Sequence, residues 1–466
     1  MKINNKYYSE HRGNRNLIIF PDKPFWIVGD NSLETIIKYF TEEISDNELF
    51  HVLTNDYGYD NEEITDTLSY IENVLVEANL DKNKDIHGID YTTYFPLPVI
   101  NVTRRCNLAC RHCYADAGNK WSGNEMSTEQ IKKVIYDIAY NYAAAVIDKR
   151  ILLSGGEPFL RTDIIDIVKY IKSINATPLV NTNSLLIEED MMDVLSECNA
   201  ELLVSLDGAK RENHEFIRGE GTFEKTIDKI KLLKKHNVIT KLSITLHSGN
   251  INDLEDFFEL SEQLGVDGIA VNVLNVLERA DKCNIKRVAL KEVNAVIRNL
   301  SKKSEKAFEY ASMTDFANLG AILLMNWKFV YCGVGAASLV IDYDGSVYPC
   351  YNNMREDCKL GNVLQDDMIE IWNNSEKLKE LRKLHVDNFG KKCKACPVKY
   401  YCGGGCRGET FYESNTYLAP CPNCKDNLEG IIELMFTLSE GDNALFENRI
   451  KYYENMEAFK KITKHS

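Results

Sequence analysis

Three cysteines lie close together in the segment CNLACRHC, with a C-x3-C-x2-C spacing: Cys106, Cys110 and Cys113. A structural zinc site takes four ligands and a disulfide framework takes cysteines in pairs, so three thiols suit neither arrangement. A 4Fe–4S cluster needs a ligand for each of its four irons, and three thiolates leave one iron open. The alternative is a zinc ion completed by His112 or a distant residue, although the His112 ring would turn back onto that ion with difficulty. The spacing favours a cluster with one open position.

The remaining cysteines are also unevenly distributed along the chain. The protein has fourteen in all, and only Cys198 and Cys283 stand apart from the clusters. We expect those two to be small buried hydrophobic residues. In a reducing compartment, clustered cysteines indicate metal binding rather than disulfides. Besides the first three, nine cysteines are closely spaced in the C-terminal part of the sequence: Cys332, Cys350, Cys358, Cys393, Cys396, Cys402, Cys406, Cys421 and Cys424.

The overall composition is that of a globular protein, since 44% of the 466 residues are hydrophobic and 27% are charged. At about 150 residues per domain, this length predicts two to four domains. A formal net charge of −15 at pH 7 argues against a surface for nucleic acid or anionic membrane. The chain has no run of about 18 apolar residues, and its N-terminal segment lacks the apolar stretch of a signal peptide. We therefore expect a cytoplasmic protein that binds neither nucleic acid nor membrane.

Strand-like and helix-like segments alternate through the middle of the chain. This alternation predicts an α/β fold with a parallel sheet. Six strands rather than eight indicate an open, partial barrel of the (β/α)6 type. The six predicted strands cover residues 97–103, 151–154, 177–181, 201–205, 240–246 and 268–273.

Glycines and polar residues follow the ends of these predicted strands. In parallel α/β barrels the carboxyl ends of the strands meet at one rim, and that rim carries the active site. The cysteine loop follows the first strand, and Gly155-Gly156-Glu157-Pro158 follows the second. Strands three to six end near Asn181 and Asn183, Ser205 and Asp207, His247 and Asn272. The sequence therefore places a candidate active site at this rim.

With these motifs in this order, residues 95–275 resemble the radical S-adenosylmethionine (SAM) enzymes. The resemblance implies that SAM chelates the open iron and is cleaved to a 5′-deoxyadenosyl radical. It further implies that Gly155, Gly156 and Glu157 hold the methionine amino group of SAM. The residues expected to meet the ribose and carboxylate are Asn181, Asn183, Ser205 and Asp207, with Arg218 and His247 expected near the carboxylate or the substrate. No catalytic residue is assigned by the resemblance.

The spacing of the C-terminal cysteines resembles the SPASM domain, an extension found in peptide-modifying radical SAM enzymes. By that pattern, Cys393, Cys396, Cys402 and Cys424 bind one auxiliary 4Fe–4S cluster. Cys332, Cys350 and Cys406 bind a second, giving three 4Fe–4S clusters in the protein. The fourth ligand of this second auxiliary cluster could be Cys358, Cys421 or a substrate thiolate. Two zinc-ribbon sites are the alternative.

The first 88 residues contain no cysteine and read as two strands followed by three helices. The strands are predicted at 17–20 and 25–28, and the last helix at 62–80. Before a radical SAM core, this pattern resembles the PqqD-like winged-helix element that recognises leader peptides. The leader would add as a strand along residues 25–30, with the last helix as the other wall of its groove. A generic α+β cap is the alternative.

These resemblances define five segments and one leading function. The segments are a PqqD-like peptide-recognition domain (1–88), a radical SAM partial barrel (95–278), a helical bridge (279–330), a SPASM domain (331–430) and a C-terminal helical tail (431–466). The implied function is maturation of a ribosomally made precursor peptide, bound through its leader, by a thioether crosslink of the sactipeptide or ranthipeptide type. A flavodoxin or ferredoxin is the expected reductant.

Several other functions stay open. Carbon–carbon crosslinking, epimerisation and small-molecule chemistry share the same initiation. Sulfatase maturation is disfavoured, because Tyr351 stands where those enzymes usually have an aspartate base. A non-catalytic iron–sulfur or zinc protein is the alternative from a different class.

Overall fold

The computed structural model describes residues 2–80, 98–118, 123–141, 150–313 and 328–439. Several predicted segments lie partly outside the described residues: the end of the N-terminal domain (81–88), the first residue of the predicted strand 97–103, part of the helical bridge (314–327) and most of the predicted tail (440–466).

The N-terminal module, residues 2–80, is a three-stranded antiparallel sheet followed by three helices. The strands are β1 (Tyr8–Arg12), β2 (Arg15–Phe20) and β3 (Phe25–Asp30), in that spatial order. The helices are α1 (Leu33–Phe40), α2 (Asp46–Asn55) and α3 (Asn61–Glu77). Strand β1 was not predicted, because its sequence YSEHR has no apolar alternation that would indicate a strand.

Alternate residues of β2 belong to two different cores. Ile18 and Phe20 pack within the N-terminal module, whereas Leu17 and Ile19 join the main core of the protein. This division follows from the two-residue period of a strand, which sends neighbouring side chains to opposite faces. The module is therefore packed directly against the rest of the chain.

The central sheet has the six predicted parallel strands, which confirms the partial-barrel prediction. They are β4 (Val99–Thr103), β5 (Arg150–Gly155), β6 (Thr177–Thr182), β7 (Glu201–Ser205), β8 (Ile239–Leu246) and β9 (Gly268–Val273). The helices between them are α4 (Thr128–Tyr136), α5 (Ile164–Ser173), α6 (Glu189–Glu197), α7 (Arg211–Arg218), α8 (Phe223–Lys235) and α9 (Leu254–Gln263). Helix α7 was not predicted, and it ends at the site residue Arg218.

The cysteine-rich region, residues 328–439, extends this sheet at its β4 edge. Its strands are β10 (Val340–Ile341), β11 (Ser346–Tyr348) and β12 (Gly361–Asn362). Strand β10 pairs in parallel with β4, and the nine strands have the order β12-β11-β10-β4-β5-β6-β7-β8-β9. Because β10 is parallel to β4, the residue that follows β10 lies at the same rim as the candidate active site.

Three helices join the sheet to the cysteine-rich region: α10 (Glu278–Lys282), α11 (Leu290–Leu300) and α12 (Glu305–Met313). Within that region the main helices are Met368–Asn374, Glu376–Leu381, Gly390–Lys394, Lys399–Cys402, Arg407–Ser414 and Cys424–Leu438. In the part of the chain that the structure describes, no helix has both the length and the apolar character needed to cross a membrane.

Charged contacts hold the N-terminal module against the cysteine-rich region. The Lys399 side chain is only 5% exposed, and its Nζ lies 2.7 Å from Asp22 Oδ1 and 3.0 Å from Asp387 Oδ1. On the Cys424–Leu438 helix, the Phe436 ring packs under the guanidinium of Arg12, 4.5 Å from its centroid. The module is thus anchored beside the cysteines of this region.

Candidate functional site

The loop after β4 carries Cys106, Cys110 and Cys113. Cys106 and Cys110 are buried, and Cys113 is half-buried. Burial raises the pKa of the Cys106 thiol to about 12. The Cys110 Sγ lies 3.8 Å from an Nη of Arg218, so a cation adjoins one of the three sulfurs. That cation would stabilise a thiolate at Cys110.

The donor set of this loop fits a cluster better than a single ion. A zinc ion would require four donors at about 2.0–2.3 Å from one point. Among the described residues, no group of three or more Cys, His, Asp or Glu side chains is arranged to hold one ion. Thiolates of a cluster each bind a different iron, so they do not have to converge on one point.

Gly155 and Gly156 bring the end of β5 into contact with the cysteine loop. The Gly156 amide donates to the carbonyl of Thr103 (2.8 Å), and the Glu157 amide donates to the carbonyl of Arg105 (2.8 Å). A Cβ atom at Gly156 would overlap the Arg105 carbonyl oxygen. Glycine is therefore needed for backbone packing, in addition to any contact with a ligand.

We predict that Gly156→Ala lowers the free energy of unfolding by about 1–3 kcal/mol, because the added methyl group displaces rigid backbone of the cysteine loop. Gly118→Ala is the matched control, because no atom lies within 4 Å of the Cβ that it would add. Urea unfolding and the iron content after anaerobic reconstitution measure the effect. Equal stability of the two variants would show that the close approach at Gly156 is unimportant.

The Glu157 carboxylate is held by protein donors. This side chain is 1% exposed and accepts hydrogen bonds from Thr182 Oγ1 (2.7 Å), Asn183 N (2.7 Å) and Phe159 N (3.1 Å). Burial raises its pKa. Both oxygens thus accept hydrogen bonds inside the protein, and the carboxylate fixes the end of β6.

Asp207 is fully buried among protein partners. Its Oδ2 lies 2.7 Å from Arg218 Nε and 3.0 Å from His112 Nε2, and its Oδ1 accepts from Thr245 N (3.0 Å). Burial alone raises the pKa of Asp207, but the charges of Arg218 and His112 outweigh it and hold the pKa well below the usual range. Asp207 therefore orients Arg218 and His112 beside the cysteine loop.

The pairing of His112 with Asp207 was missed by the sequence analysis, which considered His112 only as a zinc ligand. The two residues are far apart in the chain. Their only shared signal was that both follow predicted strands at the same rim.

The other expected SAM-binding residues lie at this rim, and Asn181 and His247 each have a buried polar atom without a hydrogen-bond partner among the described residues. Asn181 donates to Ser154 Oγ (3.3 Å), while its own Oδ1 is buried and has no hydrogen-bond partner. Asn183 donates to Asn107 Oδ1 (2.9 Å) in the cysteine loop. Ser205 is half-buried at the end of β7. His247 is buried, and its Nε2 has no partner. A buried polar atom without a partner is the kind of group that a bound ligand satisfies.

The cysteines of the C-terminal region separate into two groups. In the first, Asn352 contacts two sulfurs. Its backbone N–H donates to Cys350 Sγ (3.4 Å), and its side-chain Nδ2 donates to Cys406 Sγ (3.4 Å). Burial, with the nearby Cys332 thiol, raises the pKa of Cys350 to about 12. Cys332, Cys350 and Cys406 therefore lie together.

The second group is formed by Cys393, Cys396, Cys402 and Cys424. Burial, with Cys424 and Cys393 nearby, raises the pKa of Cys396 to about 11. Burial, with Cys396 and Cys421 nearby, raises the pKa of Cys402 to about 12. Cys421 thus adjoins this second group.

Neither candidate for the fourth ligand joins the first group. Cys421 lies near Cys402 of the second group. The Cys358 Sγ instead lies 3.5 Å from Tyr417 Oη. All fourteen cysteines are among the described residues, and all are free. Cys332, Cys350 and Cys406 thus form a group of three neighbouring thiols.

A cavity of about 430 Å³ joins the rim of the sheet to the first cysteine group. Asn101, Gly155 and Gly156 line it from the central sheet, and Asp342 and Tyr351 line it from the cysteine-rich region. Across it, Tyr351 (next to Cys350) meets Tyr114 (next to Cys113) edge to face, with ring centroids 5.9 Å apart. The cavity thus lies between the neighbours of Cys113 and of Cys350. It is bounded by the central sheet on one side and by the cysteine-rich region on the other.

Comparison with known proteins agrees with this architecture. Residues 100–261 match the radical SAM superfamily, and residues 332–397 match the SPASM iron–sulfur cluster-binding domain. An AdoMet-dependent heme synthase of Oleidesulfovibrio alaskensis is 28% identical, over 69% of this chain and 85% of the relative. The antilisterial bacteriocin subtilosin biosynthesis protein AlbA of Bacillus subtilis is 26% identical, over 73% of this chain and 75% of the relative.

A solved structure extends the likeness to nearly the whole chain. SuiB of Streptococcus suis, bound to S-adenosylmethionine, matches with a TM-score of 0.57 over 91% of this chain and 99% of SuiB. The sequence identity is 15%, so this match shows a shared fold.

The chain therefore contains a radical SAM domain followed by a SPASM domain. These two domains imply SAM and 4Fe–4S clusters as cofactors and support an enzymatic function.

Proposed function

We propose that this protein is a radical SAM maturase that forms a thioether, between a cysteine sulfur and a carbon atom, in a ribosomally made precursor peptide. The observation that carries the proposal is the cavity between the carboxyl ends of the parallel strands, where SAM is expected, and the three-thiol group of Cys332, Cys350 and Cys406. A substrate cysteine could complete that group while the carbon to be attacked faces the rim. Similarity to the subtilosin biosynthesis protein AlbA supports a peptide substrate.

Three 4Fe–4S clusters are part of this proposal. Cys106, Cys110 and Cys113 hold the first, and SAM with this cluster supplies the radical when bound. Arg218 compensates negative charge at Cys110, and the backbone at Gly155 and Gly156 borders the ligand. The auxiliary clusters are held by Cys393, Cys396, Cys402 and Cys424, and by Cys332, Cys350 and Cys406. The Tyr114 and Tyr351 rings narrow the cavity, which limits entry of water.

The precursor leader docks on the N-terminal module along β3, as in a PqqD-like element. The module's sheet has two edges, β1 and β3, and an unpaired edge can accept a further strand. This is a role for the module beyond anchoring, and it makes the leader rather than the core peptide the main determinant of affinity.

Hydrogen exchange tests this docking site. On addition of the precursor peptide encoded beside the gene, the amides of β3 should exchange more slowly, because half of them would become hydrogen-bonded to the leader. The opposite edge, β1, serves as the internal control and should not change. Protection of β1 alone, or of neither edge, would contradict docking at β3.

The reaction itself is tested by anaerobic co-expression with the same neighbouring peptide, followed by mass spectrometry. We expect the peptide to lose the mass of two hydrogens, and its fragments to show a thioether at a cysteine. The same loss without involvement of sulfur would indicate carbon–carbon coupling. Because a relative is named a heme synthase, a tetrapyrrole is the competing substrate class, and an unchanged peptide would favour it.

Cellular setting and electron supply complete the proposal. Fourteen free cysteines require a reducing environment, so we place the protein in the cytoplasm. A flavodoxin or ferredoxin would supply the electron for SAM cleavage.

A further inference from the structure

The cavity lined by Tyr114 and Tyr351 has one buried carboxylate in its wall. Asp342 follows β10 directly and is 7% exposed. Its Oδ1 accepts a hydrogen bond from Asn101 Nδ2 (3.0 Å), and it forms no ion pair within the described part of the chain. Burying an ionised carboxylate without a cation is costly. Such a group is retained where its chemistry is used.

The other carboxylates around the cavity are exposed or have partners. Asp116 pairs with Arg279 (2.8 Å) and Glu278 with Lys282 (3.8 Å). Glu356 is exposed. Asp344 accepts the amide of Ser346 (2.9 Å) and so holds the β10–β11 turn. Among the residues lining this cavity, Asp342 is the buried carboxylate that is free of a structural ion pair.

The parallel pairing of β10 with β4 explains where Asp342 lies. Ile341 is opposite Ile100, so the next residues, Asp342 and Asn101, are neighbours at the carboxyl ends of their strands. Asn101 also has a buried Oδ1 without a partner. Together they place an acceptor pair at the cavity wall, next to the glycines of the SAM rim.

We propose that Asp342 is the proton acceptor of the modification reaction. This inference rests on the proposed function. When a bond forms between a substrate X–H group and a substrate carbon, the carbon gives its hydrogen atom to the 5′-deoxyadenosyl radical. The X–H group, a cysteine thiol in the proposed reaction, gives its proton to the Asp342 carboxylate. A cluster held by the cysteines of the SPASM domain would supply the acceptor for the one electron left over.

The position of this base differs from the one expected in sulfatase maturases. There the aspartate is expected directly after the second SPASM cysteine, where this chain has Tyr351. Asp342 reaches the same cavity from the opposite strand of the β10–β11 hairpin. The hairpin thus supplies the carboxylate from a different position in the sequence.

The surroundings of Asp342 set the direction of its pH dependence. The charged and titratable groups that face it are Arg104, Tyr114, Tyr343, Asp344 and Tyr348. Burial raises the pKa of Asp342, against the Asn101 hydrogen bond and the Arg104 charge, which lower it. Because a base must be ionised, peptide modification should fall as the pH decreases through this raised pKa.

The test compares Asp342→Asn with wild type, using the precursor peptide encoded beside the gene, deuterated at its carbon positions. The variant should still transfer deuterium to 5′-deoxyadenosine, because hydrogen abstraction from carbon does not require the base. Formation of the crosslinked peptide should fall on the order of 10²–10⁴-fold, and its acidic pH limb should disappear. Asp366→Asn removes an exposed carboxylate beside β12, outside the cavity, and should match wild type.

Two results for Asp342→Asn would overturn the inference. The first is crosslinking at the wild-type rate with the same acidic limb. The second is the loss of both deuterium transfer and crosslinking in a variant that retains its full iron content. The second would show that Asp342 supports the site rather than accepting a proton. If wild type itself leaves the peptide unmodified, the proposed function fails, and the inference falls with it.

Discussion

Alanine at Cys106, Cys110 or Cys113 is expected to abolish the formation of 5′-deoxyadenosine from SAM. Each thiol is expected to bind a separate iron of one cluster, and loss of any one leaves an incomplete cluster that cannot hold SAM at its open position. The measurement is 5′-deoxyadenosine, by chromatography with mass detection, after anaerobic reconstitution with iron and sulfide and reduction with dithionite.

Cys198→Ala and Cys283→Ala are the matched controls for this prediction, because these two thiols lie outside all three cysteine groups. Both should retain the wild-type yield of 5′-deoxyadenosine. A Cys106, Cys110 or Cys113 variant that still cleaves SAM at the wild-type rate would refute the assignment of this loop.

Asp207→Asn is expected to destabilise the protein by about 3–5 kcal/mol, because it leaves the buried Arg218 guanidinium without its carboxylate partner. Arg218 and His112 both lie within 3.0 Å of the same Asp207 oxygen, and the carboxylate is fully buried. We also expect the cluster content to fall, since Arg218 would no longer be held beside Cys110. Urea unfolding and iron analysis measure the two effects.

Asp267→Asn provides the contrast, because it breaks a more exposed ion pair with Lys234 (2.6 Å) while the asparagine oxygen can still accept the Thr240 amide, and it should cost about 0–1 kcal/mol. If Asp207→Asn costs no more than Asp267→Asn, the buried network does not have the energetic role given to it here.

The strand order and the rim of the site could be predicted because they depend on local patterns. Apolar runs separated by amphipathic helices define β4 to β9, and parallel strands bring their carboxyl ends to one edge whatever their sequence. Cysteine spacing was equally local. These features needed no knowledge of which side chains meet in space.

The partners of individual side chains could not be predicted. Glu157 and Asp207 were both expected to face a ligand, yet both are buried with protein donors around them. Whether a rim carboxylate turns inward depends on donors from distant segments, such as Thr182 and His112. Strand spacing carries no information about those donors.

The pairing of β10 with β4 was also beyond prediction. β10 is two residues long, Val340 and Ile341, which is too short to show a strand period. It forms a strand because it pairs with the edge of β4 that no other strand of the central sheet occupies. That pairing is what brings Asp342 to the rim, so the most consequential position in the cavity follows from tertiary structure alone.

The central claim is that this protein generates a radical on a peptide, and isotope transfer tests it most directly. The reconstituted protein is incubated anaerobically with SAM, dithionite and the deuterated peptide encoded beside the gene, and the 5′-deoxyadenosine is analysed for deuterium. We predict deuterium in 5′-deoxyadenosine together with a peptide that has lost two hydrogens. Unlabelled 5′-deoxyadenosine with an unchanged peptide would contradict the claim.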